Sequence, residues 1–309
     1  MGDDMNTVKI LLRNISQVLL LENAITGLCI LVGLFIGNWK VGLMALLGSI
    51  IALLLAKWTN YSEAEIEAGL AGFNPVLTAI ALTLFLVPKW YSLVIVLLAV
   101  IITMPIGSAV REYFKPFGIP MLTIPYVFVS WLILLMSFQF KFVNANVHIL
   151  PNKVQEITFS GNSVEGLQAF FTGFSEVFLL NHVITGFLIL VGIFIASRRA
   201  AVYVIFANLI GLGAVSLLGA NHDQINDGLF AYNVVLTVLA LGIAFRTIIS
   251  RTMSIVLGLL LTIILHAGMT TLLTPFGLPV FTLPFIIATW IMLFGGNRMK
   301  LNEIAESRN

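Results

Sequence analysis

The amino-acid sequence repeats itself at one fixed distance. Residues 15–22 read ISQVLLLE and residues 174–181 read FSEVFLLN, so Gln17 and Glu176 occupy matching positions 159 residues apart. This pattern predicts two copies of one structural unit, at about 15–138 and 174–297. The same distance separates many other matches without a gap: ITG at 25 and 184, ILVG at 30 and 189, Asn74 and Asn233, VLT at 76 and 235, PFG at 116 and 275, Thr123 and Thr282, and Trp131 and Trp290.

The composition places both copies in a membrane. Hydrophobic residues make up 59% of the chain and charged residues only 10%, which is outside the range of soluble globular domains. The apolar runs are long and do not alternate with polar residues, which favours helices over a transmembrane β-barrel. We therefore expect an all-α integral membrane protein. Because Cys29 is the single cysteine, an intramolecular disulfide and a cysteine metal site are excluded.

The number of apolar segments decides how the copies are related. Copy one contains five, which predicts five transmembrane helices per copy. Because five is odd, the second copy is expected to be inverted in the membrane, giving two inverted repeats related by a two-fold axis in the membrane plane. The five segments lie near 24–37, 41–56, 75–87, 91–107 and 119–138.

The distribution of Lys and Arg tests this topology independently, because cytoplasmic loops carry an excess of positive charge. On the predicted layout, 12 of the 16 bases lie on the amino-terminal side and four on the other: Lys40, Lys89, Lys141 and Lys153. We therefore expect a multi-pass protein of the inner (plasma) membrane with both termini in the cytoplasm. Its expected organisation is a first inverted repeat at 1–138, an extracytoplasmic linker at 139–173 and a second inverted repeat at 174–309.

The short apolar segment before the first crossing of each copy has two interpretations. Segments 15–22 and 174–181 either join the following run as one helix of about 22 residues, or form a re-entrant half-helix that lines a cavity. Paired interrupted segments at corresponding positions of two halves are typical of a transporter's central site, which favours the half-helix.

Polar residues recur inside the fifth crossings as well. Thr123 lies in PMLTIPY and Thr282 in PVFTLPF, each between two prolines. Proline removes backbone donors, so we expect a broken helix here, with freed carbonyls and threonine hydroxyls facing a cavity. The alternative is that each threonine bonds to its own helix.

The third crossings carry an aromatic residue and a leucine on one helix face. Phe73 precedes Leu77, and Tyr232 precedes Leu236, by four residues. Composition alone favours ordinary packing for these pairs.

The ordered set ISQVLLLENAITG, GLAGFNPVLTAIAL and LTIPY, with its second copy, resembles the urea transporter family over almost the whole chain. The resemblance implies two inverted five-helix repeats, each preceded by a re-entrant half-helix, and a homotrimer with one narrow pore through each subunit. It further implies that Gln17, Glu176, Thr123 and Thr282 are the polar pore residues. One flat apolar slot is expected from Leu20, Phe73 and Leu77, and the other from Val177, Tyr232 and Leu236.

Two slot positions depart from the family pattern, which has phenylalanine at both Leu20 and Tyr232. We expect leucine to loosen one wall and the tyrosine hydroxyl to add a polar group to the opposite slot. Glu22, where the second copy has Asn181, is also unexpected, and the sequence does not identify its partner.

These features favour passive, channel-like transport of urea, a small planar molecule with four N–H donors and one carbonyl acceptor. A row of oxygen acceptors replaces the lost water while the slots exclude bulkier solutes. An acid at membrane depth, such as Glu176, is functional by default. The alternative role for Glu176 is structural, as a carboxyl that holds the half-helix through backbone donors.

Three other functions compete with passive transport. An ion-coupled secondary transporter of urea or a related small amide is the main alternative, because inverted repeats and a buried acid also occur there. An integral membrane enzyme is disfavoured because no catalytic motif is present, and a receptor is disfavoured because almost no extramembrane domain exists. We expect no cofactor, no metal and no nucleic-acid partner; the lipid bilayer and the urea permeant are the expected partners.

Overall fold

The structure is a computed structural model that describes residues 2–140, 143, 145 and 163–295. Within these residues the chain is helical and contains no β-strand. The expected linker lies largely outside them, together with Lys141, Lys153 and the final residues 296–309.

The helices follow one another in the same order in both halves. For example, α2 and α9 begin and end at residues exactly one repeat distance apart, as do α4 and α11. The first half contains α1 (Gly2–Ser16), α2 (Ala24–Gly37), α3 (Trp39–Ala56), α4 (Glu63–Glu67), α5 (Phe73–Phe85), α6 (Trp90–Phe114) and α7 (Ile124–Met136). The second half contains α8 (Gly166–Ser175), α9 (Val183–Ala196), α10 (Arg198–Leu217), α11 (His222–Asn226), α12 (Ala231–Leu239, extended by a π-helix Ala240–Ala244), α13 (Arg251–Leu273) and α14 (Leu283–Phe294).

The short segment before the first crossing is the end of a longer helix. α1 continues into a 3₁₀ turn, Gln17–Leu19, and its axis then bends by 79° into α2. The corresponding bend between α8 and α9 is 76°. The interpretation of one continuous helix through 15–22 is therefore wrong. The prediction of a half-helix confined to 15–22 also needs correction, because Gln17 begins the last turn of a helix that starts much earlier.

Length and composition identify four of the described helices as able to cross a membrane alone, or up to six if each bent pair counts as one span. Four shorter apolar helices occupy the third and fifth crossings of each copy: Phe73–Phe85, Ile124–Met136, Ala231–Ala244 and Leu283–Phe294. The fifth crossing begins at Ile124 rather than near 119. Five helices thus lie at the predicted places in each half, and their number of crossings stays a prediction.

Side-chain caps mark the starts of α2 and α9 at equivalent residues. The Asn23 side chain accepts the Thr26 backbone N–H at 3.0 Å and starts α2, and His182 accepts the Thr185 N–H at 3.2 Å to start α9. Caps of this kind satisfy backbone donors that the first helical turn leaves without a partner.

The two halves meet through reciprocal contacts. The Thr26 hydroxyl donates to the Gly192 carbonyl at 2.7 Å, and the equivalent Thr185 hydroxyl donates to the Gly33 carbonyl at the same distance. Both threonines are fully buried. Contacts in which each residue exchanges roles with its equivalent are typical of a two-fold relationship. A second reciprocal pair joins the Trp131 indole N–H to the Pro279 carbonyl at 2.8 Å and the Trp290 indole N–H to the Pro120 carbonyl at 2.9 Å.

Glycine allows α1 and α8, with the 3₁₀ turns that extend them, to approach α2 and α9 closely. We call α1 and α8 with these turns the half-helices. A Cβ atom added to Gly27 would lie 1.9 Å from the Leu12 carbonyl oxygen, and one added to Gly186 would lie 1.9 Å from the equivalent Phe171 oxygen. Small residues at such crossings let helix backbones pack tightly within a membrane.

We predict that Gly27→Ala prevents α1 from packing on α2, because the obstructing atom is backbone and cannot rotate away. Fluorescence-detected size-exclusion chromatography should show loss of the monodisperse peak. Gly268→Ala is the matched control, since the space around Gly268 in α13 is open within 4 Å. A normal peak for Gly27→Ala would contradict this account of the crossing.

Candidate functional site

The candidate site is centred on the ends of the two half-helices. Leu20 and Leu179 follow these ends with backbone φ angles of 58° and 59°, in the left-handed region that non-glycine residues rarely adopt. The Leu20 N–H donates to the Gln17 carbonyl at 2.9 Å, and the Leu179 N–H donates to the Glu176 carbonyl at 2.9 Å. Strained residues of this kind persist only where the surrounding structure holds them.

This geometry leaves backbone oxygens available beyond the expected polar side chains. The last four carbonyls of a helix have no partner within the helix. In the first half-helix, the Ser16 and Gln17 carbonyls accept from Leu21 and Leu20, whereas no described residue donates to the carbonyls of Val18 and Leu19. The second half-helix repeats the arrangement, with the carbonyls of Val177 and Phe178 in the equivalent places.

The two polar side chains at these ends have different surroundings. The buried Gln17 amide donates to the Ala68 carbonyl at 2.8 Å, which turns the side-chain oxygen away from that bond. Glu176 is partly exposed, and among the residues that the structure describes no hydrogen bond or ion pair holds its carboxylate. It lies within electrostatic range of Asp227, whose carboxylate accepts from the Asn181 amide. The first half-helix thus ends with an amide that is held by a hydrogen bond, and the second ends with a carboxylate.

The expected threonines meet each other. The Thr123 and Thr282 hydroxyl oxygens are 2.7 Å apart and hydrogen-bonded, and both side chains are buried. Each threonine directly precedes a helix, α7 or α14. Because Thr123 and Thr282 are equivalent residues, the same position of each half takes part in their contact.

The residues before the threonines are strained and are held by buried asparagines. Leu122 and Phe281 both have φ near 49°. The Asn74 amide donates to the Leu122 carbonyl at 3.1 Å while its oxygen accepts the Tyr126 N–H at 3.1 Å. Asn233 makes the equivalent pair of bonds to Phe281, at 3.1 Å, and Phe285, at 3.3 Å. One carboxamide in each half therefore satisfies both a carbonyl and an N–H across the strained turn.

Two sequence-based expectations about these turns are wrong. Pro125 and Pro284 do not break a helix, because they lie in the first turns of α7 and α14, where a missing N–H leaves no bond unmade. The carbonyls of Leu122 and Phe281 are not free, since the asparagines bind them. The available oxygens belong to the half-helix ends instead.

The expected apolar residues lie on elements that contact the half-helix ends. The 3₁₀ turn Gln17–Leu19 packs on α5, which carries Phe73 and Leu77, and the turn Glu176–Phe178 packs on both α12 and α5. Of the six expected slot residues, Leu20 is half-buried and the others are buried: Phe73, Leu77, Val177, Tyr232 and Leu236.

The Tyr232 hydroxyl does not act as expected. It donates to the Phe281 carbonyl at 2.5 Å, the same oxygen that Asn233 binds. The hydroxyl therefore supports the strained turn in the second copy, where the first copy has Phe73 and no such bond. Its aromatic ring remains on the buried face of α12.

The structure gives neighbours to Glu22 and His266, for which the sequence indicated none. The Arg13 guanidinium lies 3.4 Å from the Glu22 carboxylate and also donates to the Glu67 carbonyl at 2.8 Å. His266 is buried against the rings of Phe230 and Tyr232.

No group of three His, Cys, Asp or Glu side chains able to hold a metal occurs in the described parts of the chain.

Comparison with known proteins identifies the family. A family model described as "UT: Urea transporter" matches residues 8–297. The chain belongs to the urea transporter family. It is 28% identical to Urea transporter 1 of Rattus norvegicus over 289 residues, 92% of this chain and 75% of that protein. It is 27% identical to Urea transporter 1 of Ovis aries over 288 residues, 91% of this chain and 75% of that protein. It is therefore a multi-pass membrane protein of a transporter family.

Sequence reasoning missed several residues that shape the site of this urea transporter family member. Asn74 and Asn233 recur at the repeat distance, yet the sequence does not reveal that each bridges a strained turn. Tyr126 is fully buried and packs on Phe281, with ring centroids 5.3 Å apart. The recurrence of Asn74 and Asn233 within apolar segments is the signal that could have identified these two residues.

We predict that Asn74→Ala lowers the free energy of unfolding by about 1 to 3 kcal/mol, because a buried carbonyl and N–H lose their partner. Transport per folded protein should fall as well, because the Leu122 turn loses its support beside Thr123. Thermal unfolding and flux into proteoliposomes measure the two effects.

The control for this prediction is Asn38→Ala, which removes the cap of α3 and should cost about 1 kcal/mol without touching the site. Equal flux from the two variants would contradict the proposed role of Asn74.

Proposed function

We propose that this chain carries urea passively across the membrane through a narrow, channel-like pore. The observation that carries the proposal is the meeting of equivalent oxygen-bearing residues from both halves among buried apolar side chains, with the Thr123 and Thr282 hydroxyls in contact. Glu176 lies within electrostatic range of Tyr126 and Tyr232, so one half-helix end belongs to the same neighbourhood. The names of the relatives, which are urea transporters, agree with this substrate.

The chemistry of the site suits this solute. Each N–H group of urea that enters a dry passage without a partner costs several kcal/mol. Gln17, Glu176, the two threonine hydroxyls and the half-helix carbonyls offer a succession of acceptors. The flat apolar residues on α5 and α12 restrict the passage to a planar solute. A pore also needs weak binding, which a series of single hydrogen bonds supplies.

The same proposal includes inverted repeats. α6 has 25 residues and is about 37 Å long at 1.5 Å per residue. Leu86 shares a cavity with Trp90 at the first end of α6, whereas its equivalent, Phe245, shares a cavity with Arg111 near the last end. Equivalent residues at opposite ends of one long helix support a second copy that is upside down. The repeats at 1–138 and 174–309, the cytoplasmic termini, the inner-membrane location and the homotrimer belong to this proposal as well.

We predict that Leu77→Trp and Leu236→Trp each reduce stopped-flow urea flux in proteoliposomes to the leak rate of empty liposomes. Indole is larger than leucine, and the buried faces of α5 and α12 have no room for it without closing the slot. Leu54→Trp, at a position on α3 that is 71% exposed, is the control and should transport normally. Undiminished flux in both buried variants would reject the slot assignment.

We predict that Glu176→Gln retains most of the flux, because glutamine keeps a carbonyl acceptor at the half-helix end. Glu176→Ala should reduce flux by a factor of about 2 to 12, the equivalent of one net hydrogen bond of about 0.5 to 1.5 kcal/mol. Flux measured per folded protein at one urea gradient provides the comparison.

A second candidate function is ion-coupled transport, which is favoured by the unpaired carboxylate of Glu176 near Asp227. Repeating the flux measurements with and without proton or sodium gradients separates the two functions. Passive transport gives rates that do not depend on the ion gradient. Accumulation that follows the gradient and is lost in Glu176→Gln would replace the channel by a coupled transporter.

A further inference from the structure

A groove lies where α3 begins and the chain passes from α5 to α6. It has a volume of about 360 Å³, within the range of about 300 to 1,000 Å³ that is usual for ligand pockets. Its walls are mainly apolar, and its rim carries Trp39, Lys40, Lys89 and Trp90. The apolar wall is formed by Leu43, Met44, Leu82, Leu86, Leu93 and Val96.

The rim has the chemistry of a membrane–water interface. Trp39 is 61% and Trp90 79% exposed, as expected for indole rings at the level of the lipid headgroups. The ammonium group of Lys40 lies 5.9 Å from the Trp39 ring centroid, and that of Lys89 lies 5.6 Å from the Tyr91 ring. Two cations therefore flank an apolar groove, and none of the described residues that line it carries a carboxylate.

These two lysines are unusual for their side of the membrane. On the predicted topology, Lys40 and Lys89 are the bases that the described residues place opposite the cytoplasmic face. Positive charge is disfavoured on that side. Both bases nevertheless converge on one groove, which indicates a function for the charge there.

The second half has a groove at the equivalent place, with a volume of about 370 Å³. It is lined by Leu241, Phe245 and Ile249, which correspond to Leu82, Leu86 and Trp90. Its bases are Arg246 and Arg251, which correspond to Val87 and Ser92 rather than to the lysines. The second groove thus also carries two cations, at different positions, but four of its seven lining residues are polar.

We propose that the groove between α3, α5 and α6 binds an anionic phospholipid. Its phosphate lies between the Lys40 and Lys89 ammonium groups, and an acyl chain lies along Leu82, Leu86 and Leu93. The opposite charge selects the headgroup, since basic pockets between transmembrane helices bind anionic lipids. The apolar wall selects a lipid over a free phosphate ion.

The test titrates the purified full-length protein with phosphatidylglycerol or phosphatidylcholine of identical acyl chains and follows bound lipid by native mass spectrometry. We expect tighter binding of phosphatidylglycerol. Lys40→Gln and Lys89→Gln should each weaken that binding roughly fivefold and act together in the double variant, with phosphatidylcholine unchanged. Lys57→Gln, an exposed lysine at the far end of α3, is the control and should bind like the wild type.

A second variant tests the groove itself. Leu93 is 48% exposed, so Leu93→Trp should fold normally while its indole fills the groove and weakens binding of both lipids. Glycerol phosphate, which carries the headgroup charge without acyl chains, should bind more weakly than phosphatidylglycerol. Equal affinity of the wild type for the two lipids, an unchanged affinity in the double lysine variant, or binding of glycerol phosphate as tight as the lipid would each overturn the proposal.

Discussion

The need to give every buried backbone polar group a partner governs this structure. In hydrocarbon, an unpaired carbonyl or N–H costs several kcal/mol, so helices are the default and every departure from a helix needs support. Two strained departures in each half lie in the candidate site, at Leu20 and Leu122 and at Leu179 and Phe281. Asparagine side chains support the turns before α7 and α14, and serine hydroxyls support the half-helix ends, where the Ser16 hydroxyl donates to the Leu21 carbonyl at 2.6 Å. The half-helix ends keep carbonyl oxygens to which the described residues donate no hydrogen bond.

The two halves share this scaffold but differ in the chemistry that they place on it. Gln17 is hydrogen-bonded to a backbone carbonyl, whereas Glu176 lies within electrostatic range of another acid, Asp227. Tyr232 adds a hydroxyl bond to the turn in the second half, where the first half has Phe73. The unequal surroundings of Gln17 and Glu176 give the two half-helix ends different electrostatic character, although the backbone is repeated.

The sequence predicted the helices well because long apolar runs and a fixed repeat distance are strong signals. It singled out the two equivalent threonines, whose role in a pore stays a prediction, but it misread the prolines beside them. A proline in the first turn of a helix looks, in sequence, like a proline that interrupts one. The sequence also could not show that the carbonyls of Val18 and Leu19 are left without a partner among the described residues. Every residue has a backbone carbonyl, so no residue type marks one that stays unbonded. Hydrogen bonds such as that of Tyr232 to Phe281 depend on tertiary distance, which one sequence does not encode in any local pattern.

The reciprocal bonds between α2 and α9 also bear on how the chain assembles. Thr26 finds its acceptor at Gly192, 166 residues later, so α2 cannot complete its packing until the second half has been synthesised as far as α9. Folding of the first half is therefore coupled to translation of the second, and long-range closure of this kind is slow. A ribosome that stalls before α9 therefore leaves α2 in the membrane without its partner helix.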